Sequence, residues 1–194
     1  MTVLQAMVVG IVQGVTEFLP VSSDGHLALT YRAFGMDAAD PMLFTYTVFL
    51  HGATLVAMLV YFRSDLLALA KSLAKAGKGS PDRRLLLLIG AATLVSGGIA
   101  YFMGDVVEAA NESLLFIGIG FLVTTAALAA AEYLASRARR AERDEVAPDA
   151  LTWPRLAGIA VAQAAAVLPG VSRSGSTIAG GMAAEPGARF SFLL

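Results

Sequence analysis

The chain has 194 residues, of which 57% are hydrophobic and 15% charged, with a formal net charge of −1. Soluble domains carry about 25% charged residues, so this deficit, gathered into long uncharged runs, points to a membrane protein. Nothing in the charge pattern offers a surface for nucleic acid. The absence of cysteine excludes disulfides, thiolate metal sites and cysteine nucleophiles.

In chain order, the first apolar run, Met1–Thr16, meets Glu17 and Pro20. It lacks the basic start and small-residue cleavage site of a secretory leader, so it belongs to the mature fold. A membrane-crossing helix needs about 20 mostly apolar residues. Three runs qualify: Leu43–Phe62, interrupted only by His51; Leu85–Met103, without charge; and Leu114–Ala131, followed by Glu132. Leu156–Leu168 is too short and stops at Pro169.

The intervening stretches give an orientation. Arg63–Arg84 and Ser136–Arg155 are rich in Lys and Arg, whereas Gly104–Ser113 carries only Asp105, Glu108 and Glu112. Short basic loops stay in the cytoplasm. The two basic loops are therefore expected inside and the acidic one outside.

Two polar segments interrupt the apolar pattern. "LPVSSDG" at Leu19–Gly25 is echoed by "LPGVSRSG" at Leu168–Gly175, and after the extra Gly170 the offset is a constant 150, pairing Ser22 with Ser172 and Gly25 with Gly175. Upstream, Gln13 and Gln163 hold comparable places. By charge the two copies enter from opposite faces, which is the pattern of inverted repeats with a site at their interface. The expected fold is an all-α, polytopic membrane bundle with an inverted repeat and two re-entrant helix–loop–helix hairpins. Repeat one is expected at 1–134, with a hairpin at 1–41 and spans at 43–62, 85–103 and 114–134. A cytoplasmic loop at 135–155 follows, and repeat two begins with the hairpin at 156–194. Ordinary interfacial loops between helices are the plain alternative to the hairpins.

The residue types in these segments suit an oxyanion. Arg173 stands among Ser172, Ser174, Gly175, Ser176 and Thr177. An arginine at membrane depth is expensive, and a phosphate would offset that cost through charge-assisted hydrogen bonds. A snorkelling interfacial arginine is the bland reading. Glu17 is the only acidic residue among the first 23 and lies one helical turn after Gln13. It suits a hard-cation ligand or a general base, and equally a helix end facing water. His26 suits acid–base work, although a lone histidine is commonly structural. Ser22 and Ser23 suit either helix caps or a nucleophile. His51, alone in its span, reads as a bundle hydrogen-bonder, and Asp24 as a cap or a cation ligand.

"GIVQGVTEFLPVSSDGHL", "LPGVSRSGSTIAGG" and "ARFSFLL" together resemble the signature regions of the undecaprenyl pyrophosphate phosphatase family, the bacitracin-resistance type. The resemblance covers essentially the whole chain. It implies a multi-pass cell-membrane enzyme that hydrolyses a polyprenyl pyrophosphate to the lipid monophosphate and inorganic phosphate, using a divalent cation, Mg²⁺ or Ca²⁺, with its site open to the outer face. Carried over residue by residue, it puts the catalytic and metal motif on Gln13 and Glu17. The motif serines fall on Ser22 and Ser23, the histidine on His26 and the phosphate-binding arginine on Arg173, with Ser172, Ser174 and Thr177 beside it. Two departures stand out: Gln13 where many members carry Glu, and Asp24 where Ser or Thr is usual. Members also continue beyond "RFSFLL", so the chain is expected to be a C-terminal truncation. A transporter or flippase for a phosphorylated substrate, or an inactive fragment, would share much of this pattern. Small residues at Gly97, Gly98, Gly118 and Gly120 would permit close helix packing and a homodimer.

Overall fold

A computed structural model describes residues 1–37, 40–75, 81–140, 166 and 168–176, and among them the secondary structure is entirely helical. α1 (Val3–Thr16) opens with a capping box: Thr2 Oγ1 accepts from the Gln5 N–H at 3.3 Å, and Gln5 Oε1 accepts from the Thr2 N–H at 2.8 Å. It ends at Glu17, three residues before Pro20, which has no N–H to continue it. α2 (Ser23–Ala33) starts from Ser22, whose φ of 66° lies in the left-handed region. α3 (Pro41–Tyr61) begins with Asp40 accepting the Met42 N–H at 2.8 Å and with proline at its first position, a preorganised helix start. α4 (Arg63–Lys75), α5 (Pro81–Phe102), α6 (Gly104–Glu112) and α7 (Leu114–Arg140) follow.

The described core lies where α1, α2 and α3 meet. Val9, Leu27, Tyr31 and Leu43 are buried there, with Val12, Tyr46 and Leu50 packed against them. Two hydrogen bonds cross this core. The Tyr31 hydroxyl pairs with Thr47 Oγ1 at 2.7 Å, and the Tyr46 hydroxyl donates to the Ala6 carbonyl at 2.8 Å. They fix α3 against both arms of the α1–α2 hairpin.

Among the described residues two helical stretches, Pro41–Tyr61 and Leu114–Tyr133, are long and apolar enough to cross a membrane. Only 11% and 22% of their most apolar windows are buried, unlike a soluble protein's core helix. Phe44 and Phe49 of α3 are each 71% exposed. The third uncharged run lies in α5.

Two stretches expected as loops are largely helical. The basic one holds α4 and the first turn of α5, and the acidic one holds α6. Charge bears on which side such stretches face but not on their backbone, because Ala, Leu, Lys and Glu favour helix whatever the net charge. α7 also runs into the expected loop at 135–155, as far as Arg140. The hairpin expected at 156–194 falls within the described residues only at 166 and 168–176.

That second polar segment is seated on α7 at a point where two glycines touch. Gly120 has no room for a side chain: a Cβ there would collide with the Pro169 carbonyl and lie 2.7 Å from Gly170 Cα. Gly170 has φ of +84°, and a Cβ on it would strike the Ile117 carbonyl. The buried Thr124 hydroxyl completes the seat, donating to the Gly170 carbonyl at 3.0 Å and accepting from the Ser172 N–H at 2.9 Å.

Candidate active site

The two polar segments use the same local bonding. Ser22 Oγ accepts from the Gly25 N–H at 3.5 Å, and Ser172 Oγ accepts from the Gly175 N–H at 3.0 Å. One residue on, the His26 N–H donates to the Ser22 carbonyl at 3.3 Å and the Ser176 N–H to the Ser172 carbonyl at 2.8 Å. In both, a serine caps a helical turn and leaves the next residue, Ser23 or Arg173, at its start. The segments touch: Ser174 Oγ donates to the Leu19 carbonyl at 3.4 Å, and a Cβ on Gly175 would lie 3.2 Å from the Pro20 carbonyl.

Glu17 is the centre of the charged cluster. Its Oε2 accepts from Ser23 Oγ at 2.6 Å and from Gln13 Nε2 at 3.0 Å, and its Oε1 lies 3.6 Å from Arg173 Nη2. The Glu17 side chain is 16% exposed and that of Arg173 60%. The carboxylate is thus held by two donors and mostly shielded, while the guanidinium is the more exposed partner. Such a pair places a strong anion-binding group beside a strong acceptor.

These residues line a cavity of about 610 Å³. Thr16, Glu17, Ser22, Ser23, Asp24, Ser172, Arg173 and Ser174 form one wall. His51, Val48, Gly52, Leu55, Leu59 and Phe62 come from α3 and its end, and Leu66 from α4. Their three- and four-residue spacing marks a single helical face. The lining therefore combines polar and charged side chains with an apolar helix face.

His26 lies outside this lining. Its Nδ1 is 2.8 Å from the Ser22 carbonyl, and its ring packs edge-on against Phe121 of α7 with centroids 5.0 Å apart. His51, assigned only a bundle role from sequence, lies inside it. Its Nε2 is 3.3 Å from Asp24 Oδ1 and 3.8 Å from Glu17 Oε2. Thr124 gave no signal in the sequence, because threonines in apolar helices commonly bond their own preceding turn, as Thr125 does to the Phe121 carbonyl at 2.8 Å. Thr177 lies outside the described residues.

A divalent cation fits the chemistry of these donors. Among the described residues no group of three His, Asp or Glu side chains forms a metal cage. Mg²⁺, however, is commonly held by one or two carboxylates together with substrate phosphates. Glu17 provides one carboxylate. Beside it, Gln13 Oε1 is a buried oxygen with no hydrogen-bond partner, on the same amide whose Nε2 donates to Glu17.

The cavity of this helical fold joins an arginine–carboxylate–serine cluster to an apolar helix face. Residues 6–194 match the family described as Bacitracin resistance protein BacA. The chain is 42% identical to the undecaprenyl-diphosphatase of Rubrobacter xylanophilus over 207 residues, covering 98% of this chain and 71% of that protein. It is 40% identical to the undecaprenyl-diphosphatase of Mycobacterium sp. (strain KMS), covering all of this chain and 70% of the relative. For the undecaprenyl-diphosphatase of Chloroherpeton thalassium the identity is 35%, with 100% and 71% coverage. The chain belongs to the BacA family.

Proposed function

We propose that the chain is a polyprenyl diphosphate phosphatase, hydrolysing an undecaprenyl-type pyrophosphate to the lipid monophosphate and inorganic phosphate. The observation that carries this is the meeting of Glu17, Ser23 and Arg173 in a cavity that is also lined by the apolar face of α3. The pyrophosphate binds at Arg173, with Ser172 and Ser174 beside it and Gly175, Ser176 and Thr177 completing the segment. The prenyl chain lies along Val48, Leu55, Leu59 and Phe62.

The 2.6 Å bond from Ser23 to Glu17 supports Ser23 as the nucleophile and Glu17 as its base. Ser23 Oγ attacks the terminal phosphorus as its proton passes to Glu17. The bond to the bridging oxygen breaks, and the lipid monophosphate leaves with the electron pair. Water then attacks the phosphoserine phosphorus and its protons stay on the phosphate it forms; the Ser23 Oγ–P bond breaks, Glu17 returns its proton to Ser23 Oγ, and inorganic phosphate departs. Arg173 faces the charge that develops on the phosphoryl oxygens. Ser22 is the second choice of nucleophile, and its hydroxyl already caps α2. His26 acts through the turn that holds both serines, since its ring engages the Ser22 carbonyl. A divalent cation held by Glu17 and Gln13 would, when bound, offset negative charge on the phosphoryl group.

The protein would sit in the cell membrane as a multi-pass bundle, its two polar segments forming inverted, re-entrant hairpins. The exposed apolar faces of α3 and α7 support membrane placement, and the basic stretches support a site open to the outer side.

The test is phosphate release from a polyprenyl pyrophosphate by the purified, detergent-solubilised chain, with Mg²⁺ or Ca²⁺ and then EDTA. Release should stop with EDTA, and Arg173→Ala should lower kcat/KM by about 100-fold or more, the range for removing one strong oxyanion donor. Substrate binding without release would point to a carrier instead.

A further inference from the structure

Asp24 poses a problem that the phosphatase reading alone leaves open. Its carboxylate, 60% exposed, lines the same cavity as Arg173 and should repel a pyrophosphate. His51 answers it. The His51 Nδ1 lies 2.9 Å from the Thr47 carbonyl, which can only accept, so Nδ1 carries a hydrogen. The Nε2 atom faces carboxylate oxygens of Asp24 at 3.3 Å and Glu17 at 3.8 Å, which also accept. Both ring nitrogens are therefore placed to donate. The ring sits midway along α3, and no Asp, Glu, Lys or Arg occurs between Pro41 and Tyr61. Its Thr47 anchor is itself tied to α2 by the bond from Thr47 Oγ1 to the Tyr31 hydroxyl.

We propose that His51 is a positioning residue of this site, pairing with Asp24 so that the Asp24 carboxylate is held against α3 and not turned toward the substrate's phosphates. The pairing also joins α2, at the residue following Ser23, to the helix that forms the apolar wall. His51 thereby holds the nucleophile's turn in register with the lipid-binding face. Asp24 and His51 form a matched pair: without His51 the Asp24 carboxylate loses the contact that holds it against α3. The part concerning substrate charge rests on the phosphatase reading, whereas the pairing does not.

The experiment is a double-mutant cycle with His51→Gln and Asp24→Asn, read in two ways on the purified, detergent-solubilised chain. In phosphate-release kinetics, His51→Gln should raise KM about 10-fold with a smaller change in kcat, the signature of lost ground-state binding. Asp24→Asn should lower KM, and the double variant should lie within about 3-fold of Asp24→Asn alone. A His51→Gln penalty of equal size in both backgrounds would make His51 a structural residue of α3 and overturn the proposal. In thermal unfolding, which needs no substrate, His51→Gln should lower Tm by about 2 °C or more in the wild-type background and by less in the Asp24→Asn background. If the wild type releases no phosphate, the phosphatase reading fails, and the thermal cycle still decides the pair. Additive Tm shifts there would overturn the pairing itself.

Discussion

The two polar segments share a serine cap and a 150-residue offset, yet they are held in place by opposite means. The first, Glu17–Gly25, is the turn of a hairpin whose two arms bury a common core, Val9 against Leu27 and Tyr31. Its position follows from apolar packing close in sequence. The second is anchored to α7 by a glycine–glycine contact and by the Thr124 hydroxyl, 46 residues from Gly170 and 48 from Ser172. Its position depends on close backbone approach and on two buried hydrogen bonds. The chemistry is divided the same way. The hairpin-borne segment supplies Glu17 and Ser23, joined by a 2.6 Å bond, while the seated segment supplies Arg173, whose side chain is the more exposed. Damage to the seat should therefore remove the arginine while leaving the carboxylate–serine pair intact.

The largest effect is expected at Gly120. An alanine Cβ would collide with the Pro169 carbonyl and crowd Gly170, both backbone groups with no side chain to swing away. Overpacking of this kind costs about 1–3 kcal/mol, and backbone movement of the second segment would carry Arg173 off the cavity. Gly120→Ala should lower kcat/KM by about 100-fold, comparable with loss of the arginine itself. The check is steady-state phosphate release beside Arg173→Ala.

A smaller effect is expected from Thr124→Val. The swap keeps the shape and removes the hydroxyl, leaving the Gly170 carbonyl and the Ser172 N–H without this partner. A buried polar group left unpaired costs about 1–3 kcal/mol, so Tm should fall by several degrees and phosphate release by about 10-fold. If Thr124→Val matched wild type while Gly120→Ala was inactive, the seat would rest on the glycine contact alone.

These two variants also mark where the sequence was legible. Glu17, Ser23 and Arg173 stood out because polar chemistry inside apolar runs is expensive, so it needed a reason. The long apolar helices were legible for the same cause, and α3 and α7 lie where the uncharged runs placed them. Thr124 was not legible: its two tertiary bonds depend on a segment that only the fold brings near. His51 was visible as a lone polar residue, but its partner Asp24 is 27 positions away on another helix. A pairing at that separation carries no periodic signal. The helical character of α4 and α6 was masked by their charge, which bears on sidedness rather than on backbone conformation.

The central claim is that two segments far apart in sequence form one site. The chain has no cysteine, so Leu19→Cys with Ser174→Cys introduces the only two thiols. These positions are joined by the Ser174 hydroxyl on the Leu19 carbonyl at 3.4 Å. A short bifunctional thiol reagent applied to membranes carrying this variant should give an intramolecular cross-link that neither single variant gives. Two thiols that are each labelled by maleimide but never joined by the reagent would contradict the shared site.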